Sequence, residues 1–233
     1  MVRLEFFPTV SHPVFMETQP TLGAGTWGFS RRFPWVLIAL IVTCVSIEMA
    51  LQGADLGMWG STRWRSLAYQ NGGFWRGLLD NWRPNYAAQP VTMFATYSFL
   101  HSGLAHLTVN MITLFSLGRI VIERTGQARF AAIYMLSILG GAVGFALLSD
   151  AVQPMVGASG ALFGLAGVLV GWEYTARRLE REGLWPVARV IGFLILLNVI
   201  MYWAMDGLLA WETHLGGFVT GWIAGWWIRE REN

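Results

Sequence analysis

The chain has 233 residues, of which 55% are hydrophobic and only 13% charged, with a mean hydropathy of +0.47. Soluble domains carry about 25% charged residues, so this composition excludes an ordinary soluble domain and points to an all-α, polytopic membrane protein. A net charge of +2, with every basic residue an arginine, supports no nucleic-acid partner, and the lone Cys44 excludes a disulfide framework or a multi-cysteine metal site.

Residues 1–30 hold scattered acids, prolines and "TLGAGTWGFS" without the compact apolar block of a secretory signal, so they read as a short cytoplasmic tail in which His12 has no partner pattern. Residues 31–233 read as one membrane domain. A bilayer-crossing helix needs about 20 mostly apolar residues, and six stretches qualify as a bundle of spans. They fall near 34–51, 96–121, 130–148, 159–174, 187–203 and 211–228. The connection 52–95 is rich in tryptophan and reads as short amphipathic elements at the interface.

Arginine sets the expected sidedness. Arg31 and Arg32 precede the first span; Arg119, Arg124 and Arg129 surround the second connection. Arg177, Arg178 and Arg181 lie in the fourth, and Arg229 and Arg231 follow the last. The third and fifth connections have none; the first, which would be external, holds Arg63, Arg65, Arg76 and Arg83 and is an exception, since long segments translocate largely regardless of charge. We therefore expect both termini on the cytoplasmic side of a bacterial inner membrane, with the second, fourth and sixth helices all entering from outside.

Polar groups inside a membrane are costly and mark candidate sites. They collect at the outer ends of these three helices: His101, His106 and Asn110 in "FLHSGLAHLTVN", Ser159 in "VGASG", and His214 in "ETHLGGFVTG". His106 and Asn110 are four residues apart and share a helix face, where both can direct N–H donors to one point, as an oxyanion hole requires. His101 faces elsewhere or precedes the helix. Gly160, Gly164, Gly167 and Gly171 stripe the fourth helix, and Gly217, Gly221 and Gly225 the sixth, a pattern that lets membrane helices approach closely. Parallel packing through these stripes brings Ser159 and His214 to similar depth, where histidine is the usual base for a serine nucleophile.

A fourth helix ending at Tyr174 would be only about 24 Å long, against a hydrocarbon core of about 30 Å. Its start would lie below the outer surface, beneath a wet pocket bordered by irregular backbone.

"HLTVN", "GASG" and "HLGGFVTG", in order and on the expected spans, resemble the rhomboid family of intramembrane serine proteases over about residues 34–228; "FLHSGLAH" and "GRIVIERTG" are similar to the family's pattern as well. The resemblance implies that Ser159 attacks the substrate carbonyl and that His214 is its base, in a dyad without aspartate. It implies oxyanion donors from His106, Asn110 and the backbone at Ala158 and Ser159. Gly157, Gly160, Gly217 and Gly221 would shape the site, and Glu123 would be a structural hydrogen-bonding residue. The implied substrates are transmembrane segments of other membrane proteins in the lipid bilayer; no cofactor or metal is implied. Two positions depart from the family's pattern: the Trp-Arg pair is missing near Val91–Met93, and Thr213 stands where alanine is common. A catalytically silent relative that binds membrane clients is the alternative, although such a protein would normally have lost the serine or the histidine. Glu48, in the first span, reads as an inward-pointing hydrogen-bond partner.

Overall fold

The computed structural model describes residues 33–228, so the expected tail, His12, Arg31, Arg32, Arg229 and Arg231 lie outside the described residues. Six long helices carry the fold: α1 (Trp35–Asp55), α4 (Leu104–Thr125), α5 (Gln127–Leu148), α6 (Ser159–Glu180), α7 (Trp185–Ala204) and α8 (Trp211–Trp227). Two short helices, α2 (Trp64–Gly72) and α3 (Gln89–Thr96), and two 3₁₀ turns lie in the first connection. Among the described residues the only β-pairing is an isolated antiparallel bridge from Phe74 to Met155, which ties the first connection to the loop before α6.

By length and composition alone, α1, α4, α5 and α7 are apolar enough to cross a bilayer. α6 is the most enclosed helix, with ten of its residues buried, whereas α8 packs one face on α5 and α6 and exposes Leu215, Val219 and Ile223 on the other. The remaining long helices also show large apolar side chains to their surroundings, including Val42, Ile112, Leu147, Phe193 and Ile195. On a soluble protein so much exposed apolar surface would drive association; facing lipid it is expected.

The glycine stripes set the helix spacing. A Cβ added to Gly217 would land on the Gly160 carbonyl, one on Gly221 on the Gly164 carbonyl, and one on Gly167 on the Phe218 carbonyl. Toward the other end the helices loosen, because a Cβ on Gly225 would find its nearest atom 3.4 Å away. A second stripe, unforeseen from sequence, joins α5 to α8: Gly144 faces the Glu212 carbonyl and Gly216, and Gly216 faces the Gly140 carbonyl. Gly217→Ala therefore lowers stability by about 1–3 kcal/mol, the usual cost of overpacking, whereas Gly225→Ala leaves it nearly unchanged. Unfolding by SDS titration in mixed micelles checks the contrast.

The fourth helix runs on past the expected span. α6 has 22 residues and continues through Arg177 and Arg178 to Glu180, a length of about 33 Å. Hydropathy marks where the bilayer stops and not where the helix does, and arginine side chains reach the interface from a helix end. The start of α6 is set back relative to the end of α5. Gly160 and Gly141 share the same neighbours, the Tyr97 hydroxyl and Thr213, so the start of α6 is level with the interior of α5. Gly141 lies seven residues before the end of α5, about 10 Å along its axis.

The first connection is anchored by charge. Glu48 of α1 is fully buried and receives Arg65 Nη2 at 2.8 Å and Nη1 at 3.0 Å. Arg65 also donates to Asp55 at 2.6 Å and to the His101 carbonyl at 3.0 Å. Its pairing with Glu48 raises its pKa above the already high guanidinium range, which keeps it charged.

Candidate active site

Three helix starts converge. His101 precedes α4, and its carbonyl accepts a 2.6 Å hydrogen bond from the Tyr69 hydroxyl as well as the one from Arg65. His106 lies in the first turn of α4, with the His101 ring edge-on to it at 5.3 Å. Its Nδ1 is 2.9 Å from the Ser102 hydroxyl and accepts from the Ser102 backbone N–H at 3.3 Å. An Nδ1 that accepts leaves the proton on Nε2 in the neutral ring. That edge of the ring faces Gly157, where a Cβ would meet His106 Cε1 and Nε2. Gly157 has φ +126°, a conformation in which a side chain would be strained, so the position favours glycine on both counts.

Asn110 lies one turn further along α4, buried, with one amide N–H given to the His106 carbonyl at 2.8 Å. Its Oδ1 makes no hydrogen bond among the described residues, and its amide nitrogen carries a second N–H beyond the one that His106 receives. Ala158 caps α6 and is fully buried, and Ser159 is the first helical residue. The backbone N–H groups of that first turn have no intrahelical acceptor and carry the positive end of the helix dipole.

Ser159 Oγ is 2.9 Å from His214 Nε2. His214, in the first turn of α8, is buried, and the Phe163 ring of α6 stacks on it at 4.2 Å and 7°. The other ring nitrogen, Nδ1, is 2.5 Å from Asn198 Oδ1 of α7. Sequence reasoning singles out neither Phe163 nor Asn198. Asn198 does carry a signal: it is a lone amide inside the apolar run "PVARVIGFLILLNVIMYW".

The Thr213 hydroxyl bonds to Met155 Sδ, and its methyl group fills the space left by Gly141 and Gly160, so it makes no bond to His214. Glu123 accepts from Arg119 at 2.9 Å on the far part of α4, away from the serine.

A cavity of about 970 Å³ opens over these groups and is bordered by His106, Asn110, Gly157, Ser159 and His214. A second, largely apolar cleft of about 470 Å³ runs between α7 and the α6–α8 pair, and Phe163, Asn198 and His214 lie along it. The arrangement offers a hydroxyl in contact with an imidazole, with His106 and Asn110, both able to donate N–H, bordering the same cavity. Groups of these types are chemically suited to acyl transfer.

Residues 88–231 match the Rhomboid domain. The chain belongs to the rhomboid family. Among similar proteins, it is 30% identical over 172 residues to RHOMBOID-like protein 2 of Arabidopsis thaliana, covering 71% of this chain and 45% of that one. It is 32% identical over 125 residues to the rhomboid protease GluP of Bacillus subtilis, covering 54% of this chain and 24% of that protein. It is also 31% identical over 105 residues to the inactive RHOMBOID-like protein 8 of Arabidopsis thaliana, covering 45% and 28%. The chain spans less than half the length of these rhomboid relatives. Family and fold together make it an integral, multi-pass membrane protein.

Proposed function

We propose that this chain is an intramembrane serine endopeptidase that hydrolyses peptide bonds in or near transmembrane segments of other membrane proteins. The observation that carries the reading is the 2.9 Å contact between Ser159 Oγ and His214 Nε2 at the floor of an open cavity. Family membership alone does not carry it, since the relatives include a protein named inactive.

In this mechanism His214 Nε2 takes the Ser159 proton as Oγ attacks the scissile carbonyl. The oxygen of the tetrahedral intermediate is held by His106 Nε2–H, the second amide N–H of Asn110 and the backbone N–H groups at the start of α6. Imidazolium His214 then protonates the leaving amine. Water enters through the cavity and attacks the acyl carbonyl as His214 takes its proton; His214 then returns that proton to Ser159 Oγ as the acyl–oxygen bond breaks and the acid product leaves. Arginine distribution favours both termini cytoplasmic and the cavity facing outward, and a bacterial inner membrane is the setting we propose.

A fluorophosphonate probe tests the nucleophile directly. The label forms on Ser159 in the wild type and is absent from Ser159→Ala. A label elsewhere, or none, would favour a silent client-binding relative. The oxyanion role predicts a separate loss: His106→Ala or Asn110→Ala lowers kcat by about 10²–10³-fold, the effect of removing one such donor. Cleavage of a model transmembrane substrate in liposomes gives the number.

A further inference from the structure

We infer that Asn198 is the third member of the catalytic array, a positioning residue on α7 that fixes His214 in the tautomer a general base requires. The inference rests on the proposed Ser159–His214 mechanism.

The chemistry is decided by which nitrogen of His214 carries the proton. A base at Nε2 needs its proton on Nδ1, because Nε2 must offer a lone pair to the Ser159 hydroxyl. In a neutral imidazole with no acceptor at Nδ1, the reverse tautomer places N–H at Nε2, pointing at the serine oxygen and unable to take its proton. Asn198 Oδ1 stands 2.5 Å from Nδ1.

An amide could also be turned the other way, with its nitrogen toward the ring and the wrong tautomer favoured. The backbone of α7 settles that choice. Asn198 Nδ2 is 2.8 Å from the Leu194 carbonyl one turn back on the helix. A carbonyl cannot donate, so the amide nitrogen belongs on the Leu194 side and the oxygen on the histidine side. Each group then has one consistent role: Leu194 C=O accepts, Asn198 Oδ1 accepts, His214 Nδ1 donates and His214 Nε2 accepts from Ser159.

The rest of the surroundings leave this task to Asn198. The Phe163 ring is stacked on the face of the imidazole and bonds to neither nitrogen. Thr213 is committed to Met155. A neutral amide oxygen suffices for orientation, as in proteases that use a Cys-His-Asn array. Its helix is otherwise lightly held, with only Val187 of α7 buried, so Asn198 is not there to glue a core.

The test uses the full chain reconstituted in liposomes with a model transmembrane substrate. Asn198→Ala and Asn198→Leu lower kcat by about 10–100-fold, part of the 10²–10⁴-fold that a positioned base contributes, with KM within about threefold of wild type. Fluorophosphonate labelling of Ser159 slows by the same factor. Asn198→Asp, which keeps an acceptor oxygen, recovers most of the loss. Imidazole ¹⁵N spectra, assigned by difference from His214→Ala, report a single Nδ1–H tautomer in the wild type and a mixture in Asn198→Leu. Wild-type kcat and labelling in the Ala and Leu variants would overturn the inference. So would equal losses in Asp and Leu, or an unchanged tautomer. If Ser159→Ala still cleaves, the protease reading itself fails; if Ser159→Ala is inert while Asn198→Leu is normal, only the role of Asn198 fails.

Discussion

Ser159→Ala and His214→Ala each reduce cleavage of a transmembrane substrate by at least about 10⁴-fold, and the double variant is no slower than either single one. The reason is that the two side chains act as a unit. Without the hydroxyl the base has nothing to deprotonate, and without the base the hydroxyl is a weak nucleophile. What remains is binding and the oxyanion donors, which neither substitution touches. Both positions are at helix starts facing a cavity, so the fold has little reason to change, and melting in detergent stays near wild type. Single-turnover cleavage in liposomes is the measurement. Losses that multiply in the double variant would mean that the 2.9 Å contact is not a working pair.

Arg65→Ala lowers stability by about 3 kcal/mol, near the lower end for breaking a buried ion pair because the arginine side chain is partly exposed. The substitution strands Glu48, which is fully buried, and deprives the His101 carbonyl and Asp55 of a shared partner. Glu48→Gln costs less, because an amide oxygen still accepts from Arg65. Replacing both partners by leucine recovers much of the loss, since no charge is then left inside. SDS unfolding compares the four proteins. A double variant as unstable as Arg65→Ala would show that the guanidinium acts through its other contacts and not through Glu48.

Much of the site is legible in the sequence because its signals are local. A histidine and an asparagine four apart share a face by helix geometry alone, and glycines at four-residue spacing announce a close helix contact. What the sequence hides is of two kinds. Helix limits are misjudged where hydropathy and helicity part: α6 outlasts the apolar run, and α4 begins at Leu104 because Gly103, at φ +102°, interrupts the residues leading into it. Pairings across the fold are missed where the partner lies on another helix. Glu48 reads as inward-pointing, but nothing in the sequence names Arg65 as its partner. The missing Trp-Arg pair near Val91–Met93 raises the question of how the first connection packs, and Arg65 supplies an anchor from a different place. Asn198 escapes notice because the polar residues that draw attention lie on the second, fourth and sixth long helices, whose N-terminal ends converge. Its amide comes in sideways from the fifth.

The contact between α6 and α8 also restricts how the protein can change over time. A clash between two side chains can be relieved by shrinking either one. An alanine at Gly53 would meet the Trp59 ring, and a smaller residue at position 59 would make room. An alanine at Gly217 or Gly221 meets a peptide oxygen, which no codon alters. A genetic screen for second-site suppressors should therefore recover direct compensation for Gly53 variants and reversion at Gly217. The two helices hold the serine and histidine together through a surface that drift cannot repair.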